Sequence, residues 1–136
     1  MPLMNGEQYR DSLRKMKHVV YIFGERISNP VDHPIVIPSQ NAVAMAYDLA
    51  FDPKYEDLIT VTSSLTGRKI NRFTHIFQSI DDMLKKVKMA RLLGQKTGTC
   101  FQRCATMDAA NSLFIVTSEM DKKLGTNYHD RFINFI

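Results

Sequence analysis

The sequence predicts a mainly α-helical fold with one short β-like excursion, and three observations carry that prediction. Phe101, Ala105, Ala109, Leu113, Val116, Met120 and Leu124 recur at helical spacing. Ile80, Met83, Leu84 and Val87 fall on one face after Asp81 and Asp82, with Lys85, Lys86 and Lys88 following as the helix dipole favours. The only β-branched run around a Thr-Gly turn is Thr60 to Ile70.

In chain order, Asn5 can cap a helix whose apolar positions are Tyr9, Leu13 and Met16, giving an expected helix over 5 to 17. The run from His18 to Phe23 lacks alternation and reads either as a brief strand or as buried irregular chain. Pro30, Pro34 and Pro38 make residues 28 to 39 a loop. After Ser39, the small residues Ala42, Val43, Ala46 and Leu49 predict a closely packed helix over 39 to 51, stopped at Asp52-Pro53. Residues 60 to 70 read as a hairpin or an extended excursion between helices, and helices are expected over 79 to 94 and 99 to 124, the second a long core helix ended by Gly125. Thr126 or Asn127 can cap a last helix, and the chain reads as stopping inside it at Ile136.

With 136 residues, 44% of them hydrophobic and 24% charged, the composition is that of one globular domain and excludes disorder. No run is apolar enough to span a bilayer and the first ten residues carry no leader pattern, so a soluble, cytoplasmic protein without a membrane partner is expected. A net charge of +4 without interleaved aromatic and basic residues argues against nucleic acid.

Cys100 and Cys104 lie at i and i+4 of the predicted long helix, so their thiols share one face and can serve one metal centre. That face runs on through Met107, Asn111 and Phe114, beside the apolar stripe, so it need not point into this domain's own core. Two thiolates do not complete a zinc or iron-sulfur site, and His18, His33, His75 and His129 show no ligand spacing with them. Two free buried cysteines fit the spacing as well, whereas a disulfide suits helix geometry poorly. Gly94 to Gly98 lacks the glycine pattern of a phosphate loop and reads as a break between helices. The basic stretch of Lys85, Lys86, Lys88, Arg91, Lys96 and Arg103 reads first as a solvated face and second as a surface for an anionic ligand. Asp32-His33-Pro34 places a carboxylate beside an imidazole, but adjacent side chains on extended backbone point apart.

Five stretches resemble the N-terminal part of the 4-hydroxybutyryl-CoA dehydratase family: residues 7 to 14, 31 to 34, 55 to 58, 70 to 74, and Leu92 to Thr97 followed by Cys100-Phe101-Gln102-Arg103-Cys104. The last run is the most specific, because the related flavin-dependent 4-hydroxyphenylacetate hydroxylases share the fold without the cysteine pair. The resemblance implies that residues 1 to 136 form the N-terminal helical domain of an acyl-CoA-dehydrogenase-like subunit, a homotetramer whose middle β domain and C-terminal helical bundle have no counterpart in this chain. It implies FAD and a 4Fe-4S cluster in the complete protein, with Cys100 and Cys104 as two cluster ligands and Gln102 lining the site. The remaining partners are a CoA-thioester substrate and the rest of the same polypeptide. The implied reaction dehydrates 4-hydroxybutyryl-CoA to crotonyl-CoA and isomerises vinylacetyl-CoA. With no catalytic residue assigned here, the chain alone is expected to be inactive and to retain neither cofactor. Two alternatives stand beside this reading: a standalone helical interaction module and a flavin-dependent hydroxylase-like protein.

Overall fold

The computed structural model describes residues 3–98 and 103–136, with Arg103 and Cys104 described for their backbone alone. The chain is mainly helical with two small antiparallel hairpins, and it divides into two compact units, Met4–Glu56 and Asp57–Ile136.

In the first unit, α1 (Gly6–Arg14) starts where predicted, because Asn5 and Gln8 close a capping box: Asn5 Oδ1 accepts from the Gln8 N–H and Gln8 Oε1 from the Asn5 N–H, each at 2.9 Å. The helix ends at Arg14, three residues before the predicted limit. The undecided run after it forms β1 (Val20–Ile22), paired with β2 (Glu25–Ile27). Phe23 (φ 52°) and Gly24 (φ 86°) close the hairpin. Positive φ at both central residues is the type I′ pattern, whose twist matches the strands. α2 (Ile37–Asp48) begins two residues before Ser39, since Pro38 sits in its first turn, where a missing N–H costs nothing. It continues into a 3₁₀ turn, Leu49–Phe51. Small residues allow α1 to lie against it: the Gly6 N–H donates to Asp48 Oδ1 at 2.7 Å, and Ala44, Ala46 and Ala50 are buried.

The single turn α3 (Glu56–Ile59) spans the boundary, and the second unit continues with a hairpin, the first of the two readings of 60 to 70, made of β3 (Thr60–Thr62) and β4 (Lys69–Asn71) in register Val61 to Ile70. A 3₁₀ turn (Arg72–Thr74) and extended chain lead to α4 (Ile80–Thr97), N-capped by Ser79. α4 runs past the predicted stop at Gly94 and ends at Gly98 (φ 65°), whose N–H donates to the Gly94 carbonyl at 2.9 Å. An interior glycine costs only about 1 kcal/mol, too little to end a helix whose left-handed cap is available four residues later. The long helix α5 spans Arg103–Leu124 and ends at Gly125 as expected; the predicted start at 99 lies outside the described residues. α6 (Tyr128–Phe135) follows with Asn127 in the expected N-cap position, but the Asn127 side chain does not close the cap. Asp121 of α5 does, accepting from the Tyr128 N–H at 2.9 Å and the His129 N–H at 2.8 Å.

The predicted core stripe of α5 is on the wrong side. Leu113 (48% exposed), Val116 and Leu124 face outward, as do Ile80, Met83, Leu84 and Val87 of α4. Met107, Asn111, Phe114 and Thr117 make the packed face of α5 instead. Asn111 and Thr117 disguise that face in a hydrophobicity pattern, because their polar groups are satisfied inside it.

Candidate functional site

Cys104 lies in the first turn of α5, while Cys100 and Gln102 fall outside the described residues. By helical periodicity, position 104 precedes Met107 by one turn and Asn111 by two. The face shared by these positions was expected to lie beside this chain's core; downstream of the cysteine it is the core. Met107 is 1% exposed. Phe114 meets the His129 and Phe132 rings edge-on at 4.9 and 6.5 Å. Thr117 Oγ donates to the Leu113 carbonyl at 2.6 Å and lies 3.0 Å from His129 Nδ1.

The element packed against this face at Asn111 is the chain from Arg72 to Ser79, held by a buried polar network. Arg72 is 2% exposed. Its Nε donates to the Leu58 carbonyl at 2.9 Å and one terminal nitrogen to the carbonyls of Asp57 and Thr60 at 3.0 and 2.9 Å. The Asp57 and Leu58 carbonyls stand in the last turn of α3, which the helix itself leaves unsatisfied, and Thr60 opens β3. The other terminal nitrogen lies 3.4 Å from Asp82 Oδ1. Asp82 Oδ2 accepts from the Gln78 N–H at 2.9 Å and faces His75 Nε2 at 3.3 Å. Burial lowers the pKa of Arg72, opposed chiefly by Asp82. Burial works against ionised Asp82, but the Gln78 N–H and then His75 outweigh it and hold its carboxyl below the usual range. His75 is buried, and its Nδ1 has no hydrogen-bond partner among the described residues.

Asn111 ties α5 to this segment. Its Oδ1 accepts from the Phe77 N–H at 2.7 Å, and its Nδ2 donates to the carbonyls of His75 and Met107 at 3.2 and 2.9 Å. Spacing to the cysteines had given no reason to choose Arg72, His75 or Asp82. The available signal was local: an arginine just past a hairpin, followed by the Ser79-x-x-Asp82 cap pattern.

The other candidates have structural partners. Asp32 binds Arg14 at 2.8 Å and Asn29 at 2.6 Å, while His33 Nδ1 accepts from the Ile35 N–H at 3.3 Å, so the two side chains serve a turn. Gly94 to Thr97 is helix, without a phosphate loop's backbone. In the basic stretch, Lys85 pairs with Asp57 and Asp81 and Lys86 with Asp108. Among the described residues, no three His, Cys, Asp or Glu side chains gather as a metal site. The donor chemistry of the cysteine pair suits iron-sulfur ligation, and it amounts to half a four-ligand set.

Residues 5–136 match the family model described as 4-hydroxyphenylacetate 3-hydroxylase N terminal. The chain is 58% identical, over 98% of its length, to 4-hydroxybutyryl-CoA dehydratase/vinylacetyl-CoA-Δ-isomerase of Clostridium aminobutyricum, covering 27% of that protein. The structure of an oxygen-tolerant archaeal 4-hydroxybutyryl-CoA dehydratase from N. maritimus superposes with a TM-score of 0.90 at 53% identity, over 98% of this chain and 26% of that one. The oxygenase component of 4-hydroxyphenylacetate 3-monooxygenase from Escherichia coli is 32% identical over 57% of this chain and 15% of its own. The chain thus spans about a quarter of the length of the dehydratases it matches.

Proposed function

We propose a function from one premise: this chain belongs to the 4-hydroxyphenylacetate 3-hydroxylase N-terminal family. Within it, the chain is the N-terminal helical region of an acyl-CoA-dehydrogenase-like enzyme that dehydrates 4-hydroxybutyryl-CoA to crotonyl-CoA and isomerises vinylacetyl-CoA. The observation that carries this reading is the 58% identity to a dehydratase over 98% of the chain, set against 32% over 57% for a monooxygenase component.

In this reading Cys100 and Cys104, as thiolates, hold two positions of a 4Fe-4S cluster, and Gln102 lines the same site. A histidine and a third cysteine from the following part of the polypeptide complete the ligand set. When bound, the cluster supplies a Lewis acid for the departing hydroxyl, and FAD the one-electron chemistry that makes an unactivated C–H bond removable. What this chain contributes in this reading is the two thiolates and, downstream of Cys104, a buried network of Arg72, His75, Asp82 and Asn111 that fixes α5 on the chain from Arg72 to Gln78. The complete protein is a cytoplasmic homotetramer, and the chain without its remaining domains is inactive.

The test is the double variant Cys100→Ala, Cys104→Ala in the complete polypeptide. It is expected to lose acid-labile sulfide, iron and dehydratase activity while keeping FAD. A variant that keeps its cluster and activity overturns the ligand assignment. A wild-type protein that carries flavin without iron places the chain with the hydroxylases instead.

A further inference from the structure

We infer that Asn111 is a positioning residue for Cys104: it sets the register and rotation of the cysteine helix on the chain beneath it. The link to a metal centre rests on the function proposed above; the positioning itself rests on geometry. Residues 75–78 lie between the 3₁₀ turn and α4, without a ladder partner among the described residues. The Asn111 side-chain amide takes the place a neighbouring strand would occupy, its oxygen on the Phe77 N–H and its nitrogen on the His75 carbonyl, two residues apart. The second Nδ2 hydrogen returns to the Met107 carbonyl, so both donors of the amide are used.

Directionality makes this residue, and not its apolar neighbours, the register device. Met107 and Phe114 bury area, which favours contact but discriminates weakly between rotations of a helix. Rotation of α5 by one residue, about 100°, breaks both bonds to the extended segment and swings position 104 to another face. Asn111 stands seven residues from Cys104, two turns or about 10 Å along the axis, within a continuous helix that transmits its orientation to the first turn. The segment that receives Asn111 is itself fixed, by His75 on Asp82 and by Arg72 on three carbonyls.

The experiment compares Asn111→Leu, which keeps the volume without the hydrogen bonds, with Thr117→Val on the same buried face. The Thr117 hydroxyl bonds within α5 and approaches α6, away from the 75–78 segment. In the complete polypeptide, Asn111→Leu is expected to release iron to a chelator about ten-fold faster than wild type, as loss of an outer-shell ligand support does elsewhere, and to alter the visible circular dichroism of the cluster. Thr117→Val, which also lowers the melting temperature, is expected to leave both unchanged. A second readout needs no cluster: in metal-free protein carrying Cys100→Ala, Asn111→Leu changes the alkylation rate of Cys104 several-fold and Thr117→Val does not. Wild-type rates in both readouts for Asn111→Leu, or equal effects of the two substitutions, overturn the inference. A wild-type protein without iron defeats the proposed function instead, and the alkylation rates still decide the role of Asn111.

Discussion

Each unit sets an arginine among carboxylates, at opposite depths. In Met4–Glu56, Arg14 reaches Asp11 and Asp32 at 2.8 Å and Glu7 at 3.0 Å, with every partner about half exposed or more. Hydrogen bonding to Asp32 first, then to Glu7 and Asp11, raises the Arg14 pKa, and the same contacts lower those of Glu7 and Asp32. In Asp57–Ile136, Arg72 is shut away from solvent and burial pulls its pKa the other way, although a guanidinium stays charged in a protein. The difference teaches what each cluster is for. Water would solvate the Arg14 network equally well, so that network tunes α1. No water replaces the carbonyls and carboxylate around Arg72, so that network decides whether the platform under the cysteine helix exists.

Removing the buried ion is therefore the largest expected effect. Arg72→Ala takes a donor from each of the carbonyls of Asp57, Leu58 and Thr60 and leaves Asp82 with one fewer partner. Breaking such a buried set costs about 3–5 kcal/mol. Hydrogen exchange of the complete polypeptide should show protection lost across 57–82 and little changed across 6–48. Exchange that stays at the wild-type level in 57–82 would mean the network is replaceable.

The first unit has its own sensitive point, and it is steric, not ionic. A Cβ on Gly6 would stand 2.7 Å from Asp48 Oδ2 and 2.8 Å from the Ala44 carbonyl, and the latter is backbone that cannot swing aside. Gly6→Ala is expected to cost about 1–3 kcal/mol, the range for overpacking, through a parting of α1 from α2 read as faster exchange of residues 6–14. Retention of wild-type exchange rates there would show that Asp48 and Ala44 yield more cheaply than their geometry suggests.

Legibility in the sequence followed the same division between local and buried. Asn5 announced α1, because its cap partner Gln8 is three residues away; Gly125 likewise announced the end of α5. Gly94 misled, since a glycine at small cost looks like a glycine at a boundary until the left-handed residue, Gly98, is known. The α5 stripe misled for a deeper reason. Periodicity finds an apolar face but not which face this part of the chain occupies, and the packed face carries Asn111 and Thr117. Arg72, His75 and Asp82 were illegible as a site because their meeting depends on how a hairpin, a 3₁₀ turn and a helix cap fold back on one another. The reading of Cys100 and Cys104 as a pair rests on a five-residue motif that only a resemblance interprets.

The smallest effect is the one that separates the two networks by their solvent access. Both Asp32 and Asp82 have lowered pKa values, Asp32 through Arg14 and then Asn29, Asp82 through the Gln78 N–H and His75 against the cost of burial. A lowered folded pKa means stability that is fully present above the usual carboxylate value near about 4 and is lost as pH falls through the folded value. Acidification should therefore loosen both units in the same direction. Salt should not. At roughly 1 M the screening length is about 3 Å, so the exposed Arg14 network contributes less before any proton binds, whereas Asp82, 14% exposed, faces the buried Arg72 and His75. Exchange of residues 6–14 should consequently lose most of its acid response in high salt, and Asp32→Asn should then differ little from wild type. The acid response of residues 75–82 should be nearly the same at both salt levels. Equal salt sensitivity in the two segments would mean that the Arg72 and His75 contacts of Asp82 are screened as an exposed pair is, and would remove the distinction between a network that tunes a helix and one that supports the packed face of α5.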